Sequence, residues 1–162
     1  MTERLESMGD TPLQVAGCLV FDELGRLLLL KRHPDDFGGG KWGVPGGKQE
    51  PDEDPTATVM REIFEETGIT IEAVEHLGIH EIHMPHGLVH MKTFRATVPE
   101  GTPVTVNPEE HEMHRWFELS ELVSADDVIW ALPTTLRDFG LMKEVGVDPT
   151  LADGSTVLLL TK

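Results

Sequence analysis

"GKQEPDEDPTATVMREIFEETGI" runs from Gly47 to Ile69, and its middle reads as a helix. Asp54 is a fitting N-cap, Pro55 takes the first helical position, and Gly68 is a natural residue just past the C-terminus. At about 100° per residue, Ala57, Val59, Met60, Ile63 and Phe64 fall on one broad apolar side. Glu62, Glu65 and Glu66 gather on the opposite arc, with Arg61 flanking Glu65. The acids crowd the C-terminal end, where the helix dipole disfavours negative charge and like charges at i,i+4 repel, a local penalty of ~1–2 kcal/mol. A solvated acidic face explains one glutamate pair. It does not explain three acids at the unfavourable end beside a glycine-rich loop. A hard divalent cation does, because Mg²⁺ takes oxygen ligands, usually one or two carboxylates with substrate phosphates and waters.

These residues match a known pattern. Gly47, Glu53, Arg61, Glu62, Ile63, Glu65, Glu66, Gly68 and Ile69 occupy every fixed position of Gly-x5-Glu-x7-Arg-Glu-U-x-Glu-Glu-x-Gly-U, with U aliphatic. The stretch therefore resembles the Nudix box. "KWGVPGG" before it resembles the family's lead-in, and "EEHEMHRWFEL" at 109–119 resembles its common late segment. The resemblance implies an α+β fold, an α/β/α sandwich with a central mixed sheet. It also implies a pyrophosphohydrolase that splits a phosphoanhydride in a nucleoside diphosphate derivative with Mg²⁺ or Mn²⁺.

Carried over residue by residue, the resemblance makes Glu62, Glu65 and Glu66 the metal carboxylates, with Glu62 and Glu66 foremost. Arg61 is expected to orient them, and Glu53 to support the loop–helix geometry or reach the site. Gly46 matches a glycine whose backbone carbonyl binds metal. Arg32, ending a strand, and Lys48, after the double glycine, are the candidate phosphate contacts; each also reads as an ordinary surface cation. A carboxylate must orient or deprotonate the attacking water. Family members take it from the box or from a late loop, and Glu110 best resembles the late acid, with Glu109 and Glu112 beside it.

Beyond the box, residues 1–12 read as a polar tail and 13–162 as a single domain. Val15–Phe21 and Arg26–Arg32 read as buried strands, followed by a Gly/Pro-rich loop. Residues 68–98 read as strands around the "MPHG" turn, with a long second arm from Leu88 to Val98. "RWFEL" near Trp116 suggests a short strand and "LSELV" a helical turn. A helix is expected from near Pro133 to about Glu144, and "STVLLLT" as an edge strand or an arm, within the chain or toward a second copy in a homodimer. Strands surrounding two helices suggest a domain with a mixed sheet.

Composition removes several function classes. Across 162 residues, 29 acids outweigh 13 Lys and Arg for a net charge of −16. That balance opposes a nucleic-acid polymer as partner and a basic membrane-surface helix. A small nucleotide remains accessible where local cations counter its charge. The single cysteine, Cys18, lies in an apolar run and reads as core, which suits a reducing, cytoplasmic setting. Eight histidines invite a zinc reading, above all His80, His83, His86 and His90, but strand alternation places His80 and His83 on opposite faces and no CxxC or HExxH accompanies them. Trp42 and Phe37 read either as base-stacking or as packed loop aromatics.

Substrate signals are thin. Pro85 lies close to, but off, the spacing seen in members acting on ADP-ribose, and the chain has no tyrosine of the kind carried by members acting on dinucleoside polyphosphates. Patterns tied to NADH and coenzyme A are also missing. By elimination a nucleoside triphosphate, oxidised forms included, leads. A dinucleoside polyphosphate, ADP-ribose or a nucleotide sugar follows, with a non-catalytic nucleotide-sensing module as the alternative class.

Overall fold

A computed structural model of the chain describes residues 11–36, 39–85, 87–123, 127–128, 132–142 and 156–161. The first two strands set the architecture. β1 (Leu13–Asp22) and β2 (Leu27–Arg32) are almost uninterrupted apolar runs, and successive side chains on a strand point to opposite faces. Ala16, Cys18, Val20, Leu28 and Leu30 therefore enter one core, together with Val59 and Ile63 of helix α1 (Pro55–Thr67). Leu19, Phe21, Leu27 and Leu29 enter a second core, with Leu132 and Leu136 of helix α2 (Leu132–Asp138). Both faces of the sheet are thus covered, which is why these strands do not alternate with polar residues. The result is the α/β/α sandwich.

The remaining strands are β3 (Trp42–Gly43), β4 (Gly46–Lys48), β5 (Glu75–Met84), β6 (Gly87–Val98), β7 (His111–Phe117) and β8 (Thr156–Thr161). Among the described residues the sheet has eight strands in the order β3-β2-β1-β6-β5-β8, with β4 pairing β1 and β7 pairing β2. It is mixed: β1 and β6 run parallel from Leu13 opposite Val89 to Asp22 opposite Val98, and the other ladders are antiparallel. β1 meets β2 at Phe21 opposite Leu27, beside their hairpin, whereas at Val15 to Gly17 its neighbour is β4. The glycine strand is thereby held against β1 and delivers its residues to the end of α1.

Several details differ from expectation. The buried residues of α1 are Thr58, Val59, Ile63, Glu66 and Thr67, while Ala57 and Phe64 face solvent. The helix is turned because its threonine hydroxyls are satisfied internally: Thr67 Oγ1 donates to the Ile63 carbonyl at 2.6 Å and Thr58 Oγ1 to Glu53 Oε1 at 2.8 Å. Helix α2 closes at Asp138 rather than near Glu144. Gly140 takes φ 73°, and Leu141 N–H donates back to the Leu136 carbonyl at 2.8 Å. Glu144 lies outside the described residues. Trp42 is buried in the second core, edge-on to Phe117, so it is a packing residue; Phe37 lies outside the described residues. β8 pairs with β5 at the sheet edge, leaving Leu158, Leu159 and Leu160 exposed. Among the described residues no helix is long and apolar enough to cross a membrane.

Candidate active site

The site grows from both ends of α1. At the N-terminus Asp54 caps Ala57 N–H at 2.9 Å and Pro55 follows it; at the C-terminus Gly68, at φ 74°, donates to the Phe64 carbonyl at 2.9 Å. Between them Arg61 acts as a fork. Its Nε reaches Glu53 Oε2 at 2.8 Å, Nη2 reaches Glu53 Oε1 at 2.9 Å, and Nη1 reaches Glu62 Oε1 at 2.9 Å. Nη2 also donates to the Lys48 carbonyl at 3.3 Å, tying the glycine strand to the helix. Arg61's hydrogen bonds hold the Glu53 carboxyl at about 2. Glu65 stands apart. It is half exposed, 3.3 Å from Arg61 Nη1, and does not line the cavity described below.

Glu62 and Glu66 point the other way, toward β4. Gly47 is required there: a Cβ on it would lie 2.6 Å from Glu62 Cδ. Gly46 is required for a different reason, since its Cβ would lie 2.4 Å from the Ala16 carbonyl oxygen on β1. Gly46 N–H donates to Glu66 Oε1 at 2.7 Å, leaving Glu66 Oε2 free. The late loop closes the site from above. Thr105 N–H donates to the Thr67 carbonyl at 2.9 Å and Asn107 N–H to that of Glu66 at 3.4 Å, so the loop occupies carbonyls orphaned at the helix end. Glu110 and His111 follow, and one ligand atom from each of Glu66, Glu110 and His111 lies within 4.8 Å of the others.

The charges here are not balanced by the chain alone. Burial pushes the Glu66 carboxyl up to about 8, aided by the charges of Glu62 and Glu110 and opposed by the Gly46 hydrogen bond and by Arg32. Glu62 is also raised, chiefly by burial. His111 Nε2 lies 3.7 Å from Glu66 Oε2, but burial and then the charge of Arg32 push its imidazole down to about 4. Between those two values neither partner is charged, so the contact is not an ion pair. A divalent cation among Glu62, Glu66 and Glu110 fits this donor set, because its charge would favour the ionised forms of Glu62 and Glu66 that burial now disfavours.

A cavity of about 580 Å³ opens onto these groups, within the usual range for a small-molecule site. Arg32, Asp36, Gly46, Gly47, Lys48, Glu50, Glu62, Glu66, Glu110 and His111 form its polar wall. Lys48 is exposed at the rim; Arg32 is half-buried at the end of β2, opposite His111 of β7. The other wall is apolar, made of Leu13, Val15, Ile82, Met84, Val89 and Met91. It is a platform built by register: Leu13, Val89 and Ile82 stand side by side across β1, β6 and β5, with Val15 beside Met91 in the next row. Sequence reasoning missed this platform and His111. The i,i+2 alternations at Leu13/Val15, Ile82/Met84 and Val89/Met91 are the signal that could have marked the platform.

The histidines are dispersed. Buried His80 bonds Asp138 Oδ2 at 2.9 Å on one face, whereas His83 and His90 bond the two oxygens of Glu81, at 2.8 and 3.1 Å, on the other. His86 lies outside the described residues.

Comparison with known proteins agrees with this geometry. The model of the NUDIX domain matches residues 11–139. A zebrafish (Danio rerio) protein named oxidized purine nucleoside triphosphate hydrolase is 32% identical over 114 residues, covering 65% of this chain and 69% of its own length. The CTP pyrophosphohydrolase of Escherichia coli K12 is 28% identical over 97 residues, covering 60% and 70%. The crystal structure of a MutT protein from Methanosarcina mazei Go1 superposes with a TM-score of 0.68 at 29% identity, covering 80% of this chain and 91% of that one. Box, sandwich and family match agree, and the chain belongs to the Nudix hydrolases.

Proposed function

We propose that this chain hydrolyses a phosphoanhydride bond of a nucleoside triphosphate, oxidised forms included, with Mg²⁺ or Mn²⁺. The carrying observation is the two-sided cavity of about 580 Å³, with carboxylates and Arg32 on one wall and a six-residue apolar platform on the other. A polyphosphate suits the first wall and one base suits the second. The names of the zebrafish and E. coli relatives both denote action on nucleoside triphosphates, which supports the same class.

In this reading Glu62, Glu66 and Glu110 hold the cation, with the Gly46 carbonyl as a further oxygen donor. Once bound, the cation neutralises phosphate charge and makes a water easier to deprotonate. Arg32 and Lys48 contact the phosphate oxygens and stabilise the charge that develops during in-line attack. Glu110, at the mouth of the cluster, orients the attacking water and takes its proton. Arg61 and Glu53 do not touch the substrate; they hold Glu62 and the glycine strand in place. Glu65, salt-bridged to Arg61, tunes that brace.

A screen of nucleoside triphosphates, dinucleoside polyphosphates, ADP-ribose and nucleotide sugars with Mg²⁺ or Mn²⁺, products identified, tests the proposal. Nucleoside monophosphate with pyrophosphate, or diphosphate with phosphate, is the expected outcome. Turnover confined to a two-headed substrate would transfer the assignment to that class, and nucleotide binding without turnover would make the chain a sensor.

A further inference from the structure

We infer that His111 is a nitrogen ligand in the metal cluster, and that it shifts the site's preference from Mg²⁺ toward first-row transition cations. The inference rests on the proposed divalent-cation reading of this site and adds a donor that the Nudix box does not contain. Four observations carry it. Glu66, Glu110 and His111 each bring one ligand atom within 4.8 Å of the other two, near enough for one ion to gather all three with small side-chain adjustments. Glu66 Oε1 is committed to Gly46 N–H at 2.7 Å, so the free oxygen is Oε2, and that oxygen faces His111 Nε2. Their separation of 3.7 Å is too long for a hydrogen bond, yet within the ~4.2 Å that two donors can span when each lies ~2.1 Å from a shared ion. The imidazole is 6% exposed, lines the cavity, and turns Nε2 toward the free oxygen of Glu66.

At 3.7 Å Nε2 and Glu66 Oε2 make no hydrogen bond to each other, and a cation between them would give both atoms a partner. The backbone fixes the histidine in place: His111 N–H donates to the Asn107 carbonyl at 3.0 Å, and the residue pairs with Arg32 across β2 and β7. Mg²⁺ favours an all-oxygen octahedron, whereas imidazole suits first-row transition cations, with affinity rising from Mn²⁺ through Co²⁺.

Electron spin-echo spectroscopy of the Mn²⁺-loaded full chain reads the ligand directly. Nitrogen-14 modulation is expected in the wild type and its loss in His111→Leu. Calorimetric titration with CoCl₂ and MgCl₂ should show the Co²⁺-over-Mg²⁺ affinity ratio falling about tenfold or more in that variant. The wild-type spectrum decides the matter even where the variant fails to fold. Bound Mn²⁺ without nitrogen modulation overturns this inference and leaves the metal-site reading intact. Modulation that persists in His111→Leu also overturns it, placing the nitrogen elsewhere, as at His83 or His90. A wild type that binds no divalent cation overturns both readings.

Discussion

Arg61 grips Glu53 through two parallel hydrogen bonds, Nε to Oε2 at 2.8 Å and Nη2 to Oε1 at 2.9 Å, while its remaining nitrogen holds Glu62. Three structural pieces meet in that one guanidinium: the loop before α1, the glycine strand and the carboxylate side of the helix. Lysine offers a single ammonium and cannot keep all three contacts. Arg61→Lys should therefore fold, yet weaken both divalent-cation affinity and kcat by about 10–100-fold, the usual effect of losing a residue that orients a ligand. Unchanged affinity and turnover would make the fork merely a surface contact. The pair also sets a pH window. Glu53 is held at about 2 against an ordinary 4.5, so its stabilisation is complete above 4.5 and is lost as pH falls toward 2. Denaturation curves of Glu53→Gln and wild type should differ at neutral pH and converge near the lower value.

Glu66 has the opposite sign. Its folded carboxyl is raised to about 8, so between 4.5 and 8 the folded chain holds a proton that the unfolded chain has released. Stability of the metal-free protein should fall as pH rises through that window, on the order of a few kcal/mol, since one pKa unit corresponds to about 1.4 kcal/mol. Glu66→Gln keeps an oxygen for Gly46 N–H and removes the titration. In EDTA its stability should exceed the wild type's at pH 8 and approach it at pH 5, while activity with Mg²⁺ falls roughly 100-fold or more. Urea unfolding at the two pH values, with parallel curves for both proteins, would show that the buried carboxyl is not the cause.

The two glycines of β4 should fail differently. A Cβ on Gly46 meets the backbone of β1 at 2.4 Å, and backbone cannot step aside, so Gly46→Ala should cost about 1–3 kcal/mol of stability. The nearest atoms to a Cβ on Gly47 are those of the Glu62 carboxyl group, from 2.6 Å, and a side chain can swing. Gly47→Ala should melt close to the wild type and lose activity because Glu62 is displaced. Equal melting losses with equal residual activity would remove the distinction.

Much of this was legible in the sequence because it is local. The caps of α1, the three-residue spacing of Glu62 and Glu65 and the apolar runs of β1 and β2 follow from helical and strand periodicity within one element. What escaped depends on partners distant in the chain. The platform exists only once β1, β5 and β6 align Leu13, Ile82 and Val89, and His111 acquires meaning only when its loop is stitched to the end of a helix more than forty residues earlier. The rotation of α1 was hidden for a chemical reason. Thr58 and Thr67 count as polar in a periodicity reading, yet with their hydroxyls bonded to Glu53 and to the Ile63 carbonyl they bury without losing a hydrogen bond.

Glu110 is the assignment with the most to lose in an experiment. Its loop folds over the end of α1, and its carboxylate joins Glu66 and His111 within 4.8 Å, whereas Glu112 turns toward His33, 4.0 Å from Nδ1. If Glu110 takes the proton from water, Glu110→Gln should lower kcat by ~10²–10⁴-fold with KM nearly unchanged, since base catalysis acts in the transition state and not on ground-state binding. Glu112→Gln should turn over like the wild type, because its carboxylate does not line the cavity. If Glu110 instead serves only as a metal donor, the variant's loss should shrink as Mn²⁺ is raised, and the pH dependence of kcat should keep its wild-type shape. A base variant loses the limb of the pH–rate profile that reports the base, and added metal restores only the part of its loss that comes from the missing metal donor. Wild-type kinetics for Glu110→Gln beside a crippled Glu112→Gln would move the role two residues along the strand; wild-type kinetics for both would return it to Glu62 or Glu66 on the helix.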